Sequence, residues 1–316
     1  MKHFLTLDDM TPSQLQQLLS RAIELKAMQQ RGELYRPFIG KTQVLIFTKA
    51  STRTRVSFET GFGQFGGTTI FLAPDHSQLG RGEPAADTAR VLSRMADIVV
   101  IRTAEHNQLL DFANHATIPV VNALTDDFHP CQLLADIMTY EEHRGSIRGR
   151  RVTWIGDGNN MCHSWMNAAR LFDFELSIAT PAGYAPKPAL TQRDPGRFIF
   201  SQDPDQAILN SDLVVTDTWA SMGQEEEKAR RQLAFSHFKV TKARMSKAKP
   251  EALFMHCLPA YRGFEVDAAV IDGPQSVVWD EAGNRLHAQK ALLEYLLDGF
   301  IGLSENSLPE PLSESP

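Results

Sequence analysis

QVLIFTKASTRTR, residues 43–55, is the stretch on which the fold turns. Its first five positions are a largely apolar run with β-branched members, which predicts a buried strand. Its last five, Ser51-Thr52-Arg53-Thr54-Arg55, are polar, and a helix is expected to begin within or just after them. The same order recurs along the chain. Runs at 68–72, 98–101 and 119–122 predict three more strands. Helix-like stretches separate them at 58–65, 85–95 and 108–115, and a longer one follows at 132–143. Upstream, Thr11, Pro12 and Gln14 form a capping box with proline at the first helical position. Leu15, Leu18, Leu19, Ala22, Ile23 and Leu25 then fall mostly on one helical face, and Gly32 fits the stop. After Gly145 and Gly149 the alternation restarts. Runs at 152–155, 176–179, 213–216, 253–256 and 277–279 read as strands, and 286–297 as a closing helix. Alternating strands and helices imply parallel sheets covered on both faces. Two such series imply two α/β domains, and 316 residues suit two domains of about 150 each.

Composition narrows the function. Hydrophobic residues are 42% and charged residues 22% of the chain, an ordinary globular balance. No apolar run approaches the roughly 18 residues of a membrane span, and the opening MKHFLTLDDM lacks the apolar core of a secretory signal. The net charge of -6 argues against binding nucleic acid through the overall field. Any anionic ligand must be held by a local basic cluster. Three cysteines, Cys131, Cys162 and Cys257, with no CxxC pair, speak against a disulfide scaffold or a four-cysteine zinc site and fit a reducing cytoplasm. Residues 304–316, rich in Ser, Glu and Pro, read as a loosely held tail.

Ligand sites in open α/β sheets lie at the carboxyl ends of strands. The polar clusters that follow the predicted strands are therefore the candidates. Ser51, Thr52, Arg53, Thr54 and Arg55 would bring hydroxyls, guanidinium groups and the free N–H groups of a helix start into one turn, which suits a phosphate. A capped helix start with solvated arginines is the other reading. GxxxxGK[ST] is absent, so it is not a nucleotide P-loop. Arg102 closes the 98–101 run, as an anion ligand or a surface ion pair. His129-Pro130-Cys131-Gln132 would project His129 and Gln132 from a helix start, to polarise a carbonyl and accept from an amide; His129 as a cap or a zinc ligand are alternatives, though no further ligands have fitting spacing. Gly156-Asp157-Gly158-Asn159-Asn160 imitates a dinucleotide fingerprint, but Met161 replaces the third glycine and Ala179-Thr180 replaces the acidic residue after the next strand. Asp217, opening DTWASMG, is placed to meet a cation or to cap its loop. His256 and Cys257 of HCLP would point to opposite sides of an extended chain, a poor nucleophile–base pair, and Cys257 alone reads equally as a buried thiol.

STRTR, HPCQ, DTWASMG and HCLP in this order, followed by WDEAGNRLHAQKALL at 279–293, resemble the aspartate/ornithine carbamoyltransferase family over nearly the whole chain. The loop around Ser221 and the HCLP cysteine are similar to the ornithine branch. The resemblance implies an α/β fold of two domains, each a parallel sheet flanked by helices, linked by interdomain helices. Residues 1–145 would bind carbamoyl phosphate and residues 146–285 L-ornithine. A last helix, about 286–316, would pack back on the first domain. It further implies a homotrimer, or a multiple of trimers, with shared active sites. Ser51, Thr52, Arg53, Thr54 and Arg102 should hold the phosphate, and Gln78 should reach the phosphate of a neighbouring subunit. His129 should meet the carbonyl oxygen and Gln132 the carbamoyl nitrogen, with Cys257, Leu258 and Arg285 completing that pocket through main-chain groups. Asn160, Asp217, Ser221 and Met222 should bind ornithine. Arg53, Arg102, His129 and Cys257 are the expected catalytic residues.

The implied reaction moves the carbamoyl group to the δ-amine of ornithine, giving citrulline and phosphate, as in arginine biosynthesis in the cytoplasm. No metal and no cofactor is expected, and neither nucleic acid nor membrane. The alternatives are a carbamoyltransferase for aspartate, putrescine or an acylated ornithine, a nicotinamide dehydrogenase, and a non-catalytic metabolite-binding protein of the same fold.

Overall fold

The computed structural model describes residues 3–73, 82–194, 196–219 and 227–298. The expectations for Gln78, Ser221, Met222 and the tail beyond residue 298 lie outside the described residues. In chain order the first series is α1 (Pro12–Gln30), β1 (Thr42–Phe47), α2 (Thr52–Gln64), β2 (Thr68–Leu72), α3 (Ala85–Leu92), β3 (Ile98–Arg102), α4 (His106–His115), β4 (Val120–Leu124) and α5 (Pro130–Arg144). The second is β5 (Arg151–Ile155), α6 (Asn160–Leu171), β6 (Glu175–Ala179), α7 (Pro188–Thr191), β7 (Phe198–Ser201), α8 (Pro204–Ala207), β8 (Leu213–Thr216), α9 (Lys228–Phe235), α10 (Lys242–Met245), β9 (Leu253–His256), α11 (Ala268–Ile271) and α12 (Val278–Leu297). None of the described helices is long and apolar enough to cross a membrane.

Both sheets are parallel. The first runs β2-β1-β3-β4 and the second β7-β6-β5-β8-β9. In each, the chain leaves its first strand toward one edge and later returns to build the other. The reversal lies between β1 and β3 in the first sheet and between β5 and β8 in the second. Adjacent connections at such a point go to opposite faces and leave a crevice at the strand ends. The inner strands β1, β3, β5 and β8 are almost wholly buried, which is why each reads as a continuous apolar run rather than an alternating one.

The capping box at Thr11 forms: its hydroxyl accepts from Gln14 N–H, and the Gln14 side chain accepts from Thr11 N–H. One large core runs between the two sheets and takes in Leu15, Leu19, Met138, Trp165 and Leu292. α12 closes it. Arg21 of α1 donates to Glu294 at 2.7 and 2.9 Å, Tyr35 to the same carboxylate at 2.5 Å, and Lys290 reaches Gln29 and Gln64. The approach of α12 to α2 needs Gly61, because a Cβ there would lie 2.9 Å from Lys290 Cγ.

Two expectations are corrected. Residues 277–279 are not a strand. Pairing with β9 reaches only Ser276 and the Val277 N–H, and α12 begins at Val278, eight residues before the expected 286. Asp280 and Glu281 in its first turn suit the positive helix end, which outweighs the β-propensity of the two valines. The structure also adds a strand, β7, whose Ile199 and Phe200 stay exposed at the sheet edge. Gly158 is also forced by packing: a Cβ would sit 2.3 Å from Pro186 N and 2.6 Å from Tyr184 O, which accepts the Gly158 N–H at 2.8 Å. Gly158→Ala is expected to destabilise the protein by about 2 kcal/mol, seen as a lower thermal unfolding midpoint by calorimetry.

Candidate active site

Both reversal points open into one cleft of about 760 Å³. On the first sheet, β1 ends at Phe47, in register with Arg102 at the end of β3. α2 begins at Thr52 with Ser51 as its N-cap residue, and the Ser51 side chain makes no capping bond. That disfavours the capped-start reading and leaves the first turn of α2 lining the cleft with its hydroxyls. The two arginines of STRTR part company. Arg53 lines the cleft, whereas Arg55 faces outward, paired with Glu59 at 2.8 Å and stacked on Phe71.

Arg102 is buried, 7% exposed, and its Nε has no partner. Among the described residues it has no carboxylate partner, so it is not a surface ion pair. Burial, then the charges of Arg285 and Arg53, pull its guanidinium down to about 10. Arg285 comes from α12, far away in sequence. It is fully buried, donates to Gln132 Oε1, and reaches Thr54 Oγ1 at 3.2 Å. With the Gln289 amide in the orientation its neighbours require, Gln289 oxygen accepts from Arg285 Nε and Nη2 at 3.1 and 2.8 Å. The Arg285 guanidinium thus lies among the cleft groups beside Gln132 and Thr54, whereas the resemblance implied a role for its main chain. His129 stands at the N-terminus of α5 with no capping bond from its ring. Its backbone N–H donates to Ser164 Oγ at 2.8 Å, and buried Nδ1 has no partner among the described residues. Burial first, then Arg285, Arg102 and Arg53, push the imidazole well below its usual range, so it is neutral at pH 7. This side of the cleft is a desolvated cationic pocket with a neutral imidazole beside it, a setting for an anion and a polarised carbonyl.

The second sheet supplies the opposite character. Asp217, just past β8, accepts from Thr218 N–H at 2.7 Å, Asn159 Nδ2 at 3.0 Å and Cys257 Sγ at 3.2 Å. Burial, followed by Asp217 and Glu281, pushes the Cys257 thiol well up, so it is a neutral donor and not a thiolate. Asn160 lines the cleft but spends its amide on Thr125 O at 2.7 Å, tying the two halves together. His163 ties them again: Nε2 accepts Lys187 N–H, so Nδ1 carries the proton and donates to Asp127 O. His256 turns away from the cleft as the extended chain predicts, its Nε2 on Glu265 and its Nδ1 accepting Leu258 N–H at 2.9 Å. Asp217, His256 and Cys257 present ligand atoms within 4.8 Å of one another. Their hydrogen bonds already account for that grouping, and both ring nitrogens of His256 are spent.

Ser51, Thr52, Arg53, Thr54, Arg102, His129, Gln132, Asn160, Asp217, Cys257, Leu258 and Arg285 all line this one cleft. Sequence reasoning missed Arg231. It donates to Trp219 O and Asp157 Oδ2 and lies over the Tyr184 ring. In the sequence it sits in a charged run, EEEKARRQ, that reads as a solvated helix face, so no local signal marks it. Asp157 is raised to about 6 by burial, against the pull of Arg231.

Two switch-point crevices facing one cleft, one cationic and one lined by carboxylate and amide, define a two-sheet α/β protein with a two-part ligand site. Two family domains cover the chain: the aspartate/ornithine carbamoyltransferase carbamoyl-P binding domain matches residues 2–142, and the Asp/Orn binding domain matches 148–296. The ornithine carbamoyltransferase of Nitrosococcus oceani is 60% identical over 297 residues, 94% of this chain and 98% of that protein. That of Psychrobacter sp. is 56% identical, covering 96% and 99%. Among solved structures, the Pyrococcus furiosus ornithine carbamoyltransferase superimposes with a TM-score of 0.91 at 45% identity, covering 94% of this chain and 97% of its own. The Burkholderia thailandensis enzyme gives 0.88 at 48%, covering 95% and 99%. The chain belongs to the aspartate/ornithine carbamoyltransferase family.

His129 buried neutral has a pH consequence. As pH falls below about 6.5 the unfolded chain takes up a proton that the folded state refuses, so stability is lost on acidification. In ligand-free protein the His129 ring signals are expected to keep their neutral NMR position from pH 8 to about 5.5.

Proposed function

We propose that the protein transfers the carbamoyl group of carbamoyl phosphate to the δ-amine of L-ornithine, forming L-citrulline and phosphate. The observation that carries this is the meeting of Arg53, Arg102 and Arg285 beside the first turn of α2 with His129 from the N-terminus of α5, across one cleft from Asp217 and Cys257. Residues 1–145 hold the phosphate donor and residues 146–285 the amino acid, with α12 carrying Arg285 back to the donor side. Ser51, Thr52, Arg53, Thr54 and Arg102 grip the phosphate oxygens. His129, with Arg53 and Thr54, donates to the carbonyl oxygen, where negative charge grows as the amine attacks. Gln132 accepts from the carbamoyl nitrogen. Asp217 holds the α-ammonium, and the neutral Cys257 thiol lies near the δ-amine. An alkyl amine of pKa about 10.4 is neutral in only about one molecule in 10³ at pH 7. Desolvation in the closed cleft favours that form. The amine nitrogen bonds to the carbonyl carbon, the carbon–oxygen bond to phosphate breaks, and the departing phosphate takes the amine proton. The same reading places the enzyme in arginine biosynthesis, in the cytoplasm, as a homotrimer in which Gln78 reaches a neighbour's phosphate and Ser221 and Met222 complete the ornithine site.

Carbamoyl transfer, followed as amine-dependent phosphate release, is expected with ornithine and to fall at least about 10²-fold with putrescine, N-acetylornithine or aspartate; equal turnover with any of these would overturn the assignment. Arg102→Ala is expected to lower kcat/KM for carbamoyl phosphate by about 10²–10³. Cys257→Ala, which removes a neutral donor to Asp217, is expected to raise KM for ornithine by about tenfold and to leave measurable kcat.

A further inference from the structure

Behind the cleft lie two carboxyl groups that the reaction above does not use. Asp136 is one helical turn below Gln132 on α5, and Glu281 is in the first turn of α12; both are buried. Gln132 Nε2 donates to Asp136 Oδ1 at 2.9 Å and to Glu281 Oε1 at 3.1 Å. Its oxygen is left for Arg285 and the pocket. The other oxygen of Glu281 accepts the backbone N–H of His256 at 2.9 Å, at the point where β9 runs into Cys257 and Leu258. Asp136 Oδ2 is buried with no hydrogen-bond partner among the described residues. Asp136 therefore uses one of its oxygens and Glu281 both of its own. Burial raises both carboxyls above the usual carboxylate range, and Asp136 raises Glu281 further.

A primary amide turns over easily, and its two ends differ only in hydrogen-bond sense. Turned the other way, Gln132 would present an NH₂ group to Arg285 and to any bound carbamoyl NH₂, donor against donor. We propose that Asp136 and Glu281 are positioning residues that hold the Gln132 oxygen toward the carbamoyl nitrogen, and that Glu281 ties this orientation to the end of β9. Asp136 need accept only from Gln132, whereas Glu281 must accept from both Gln132 and His256. The two positions therefore differ in what they tolerate. Asparagine at 136 keeps the one acceptor in use, its oxygen toward Gln132. Glutamine at 281 cannot accept on both sides: with its oxygen on His256 N–H, its NH₂ faces Gln132 and turns that amide over.

The inference rests on the reading of Gln132 as the acceptor for the carbamoyl amide, and its test is independent of turnover. Binding of phosphonoacetamide, which carries both phosphonate and primary amide, is compared by calorimetry with binding of inorganic phosphate, which lacks the amide. Glu281→Gln is expected to weaken phosphonoacetamide at least about tenfold and phosphate less than about twofold. Asp136→Asn is expected to leave both within about threefold of the parent. Gln132→Leu sets the scale for loss of the amide contact. Should Glu281→Gln not fold, Asp136→Ala is compared with Asp136→Asn, the alanine alone losing the amide-selective affinity. Equal loss in Asp136→Asn and its partner variant, or a Glu281→Gln protein that binds both ligands as the parent does or loses both alike, would overturn the proposal. A parent that binds phosphonoacetamide but forms no citrulline would overturn the assigned reaction and leave this inference standing.

Discussion

The buried guanidinium of Arg285 is the constraint to which the site is built. Taking a cation out of water costs several kcal/mol unless its hydrogen bonds are satisfied. Here the acceptors are Thr54 from α2, Gln132 from α5 and, in its satisfied orientation, Gln289 one turn further along α12. Those three helices are thereby fixed relative to one another, and two of them begin at the site. α12 must cross back over the first sheet to deliver the charge, and Gly61 is what lets it lie close enough to α2.

The same charge explains how an acidic chain can hold a dianion. The net charge is -6, yet Arg53, Arg102 and Arg285 are near enough to depress the ionisation of Arg102 and to keep His129 neutral. A field of that sign, confined to a desolvated crevice, attracts a small anion without making the surface basic. The second sheet offers the complement, with Asp217 and Asp157 at its switch point and a thiol that stays protonated because of burial and of Asp217. Donor and acceptor sites are thus separated by the sign of the local potential, and each sign is set at the carboxyl ends of parallel strands.

Much of the fold was legible because buried parallel strands leave continuous apolar runs. The runs at 213–216 and 253–256 match the buried strands β8 and β9 residue for residue. The misreadings are local. Val277, Val278 and Trp279 have strand propensity, but the acidic first turn and the burial of Val278 make them the entry to a helix. β7 is short and half exposed, too weak a signal against its charged neighbours. Strand-end motifs located most of the cleft, since Ser51, Arg102, His129, Asp217 and Cys257 each follow a strand directly or open the next helix. Arg231, Asp136 and Glu281 follow no such rule.

The sequence by itself determined the strand–helix alternation, the two series and the chemistry at each strand end, because these depend on neighbours along the chain. Only the tertiary structure decided which groups share a boundary. It brought Arg285 to Thr54 across 231 residues, turned Arg55 outward while Arg53 lined the cleft, and set Glu281 between Gln132 and the end of β9. Burial and the charge of distant residues fix protonation and amide orientation, and no window of sequence contains them.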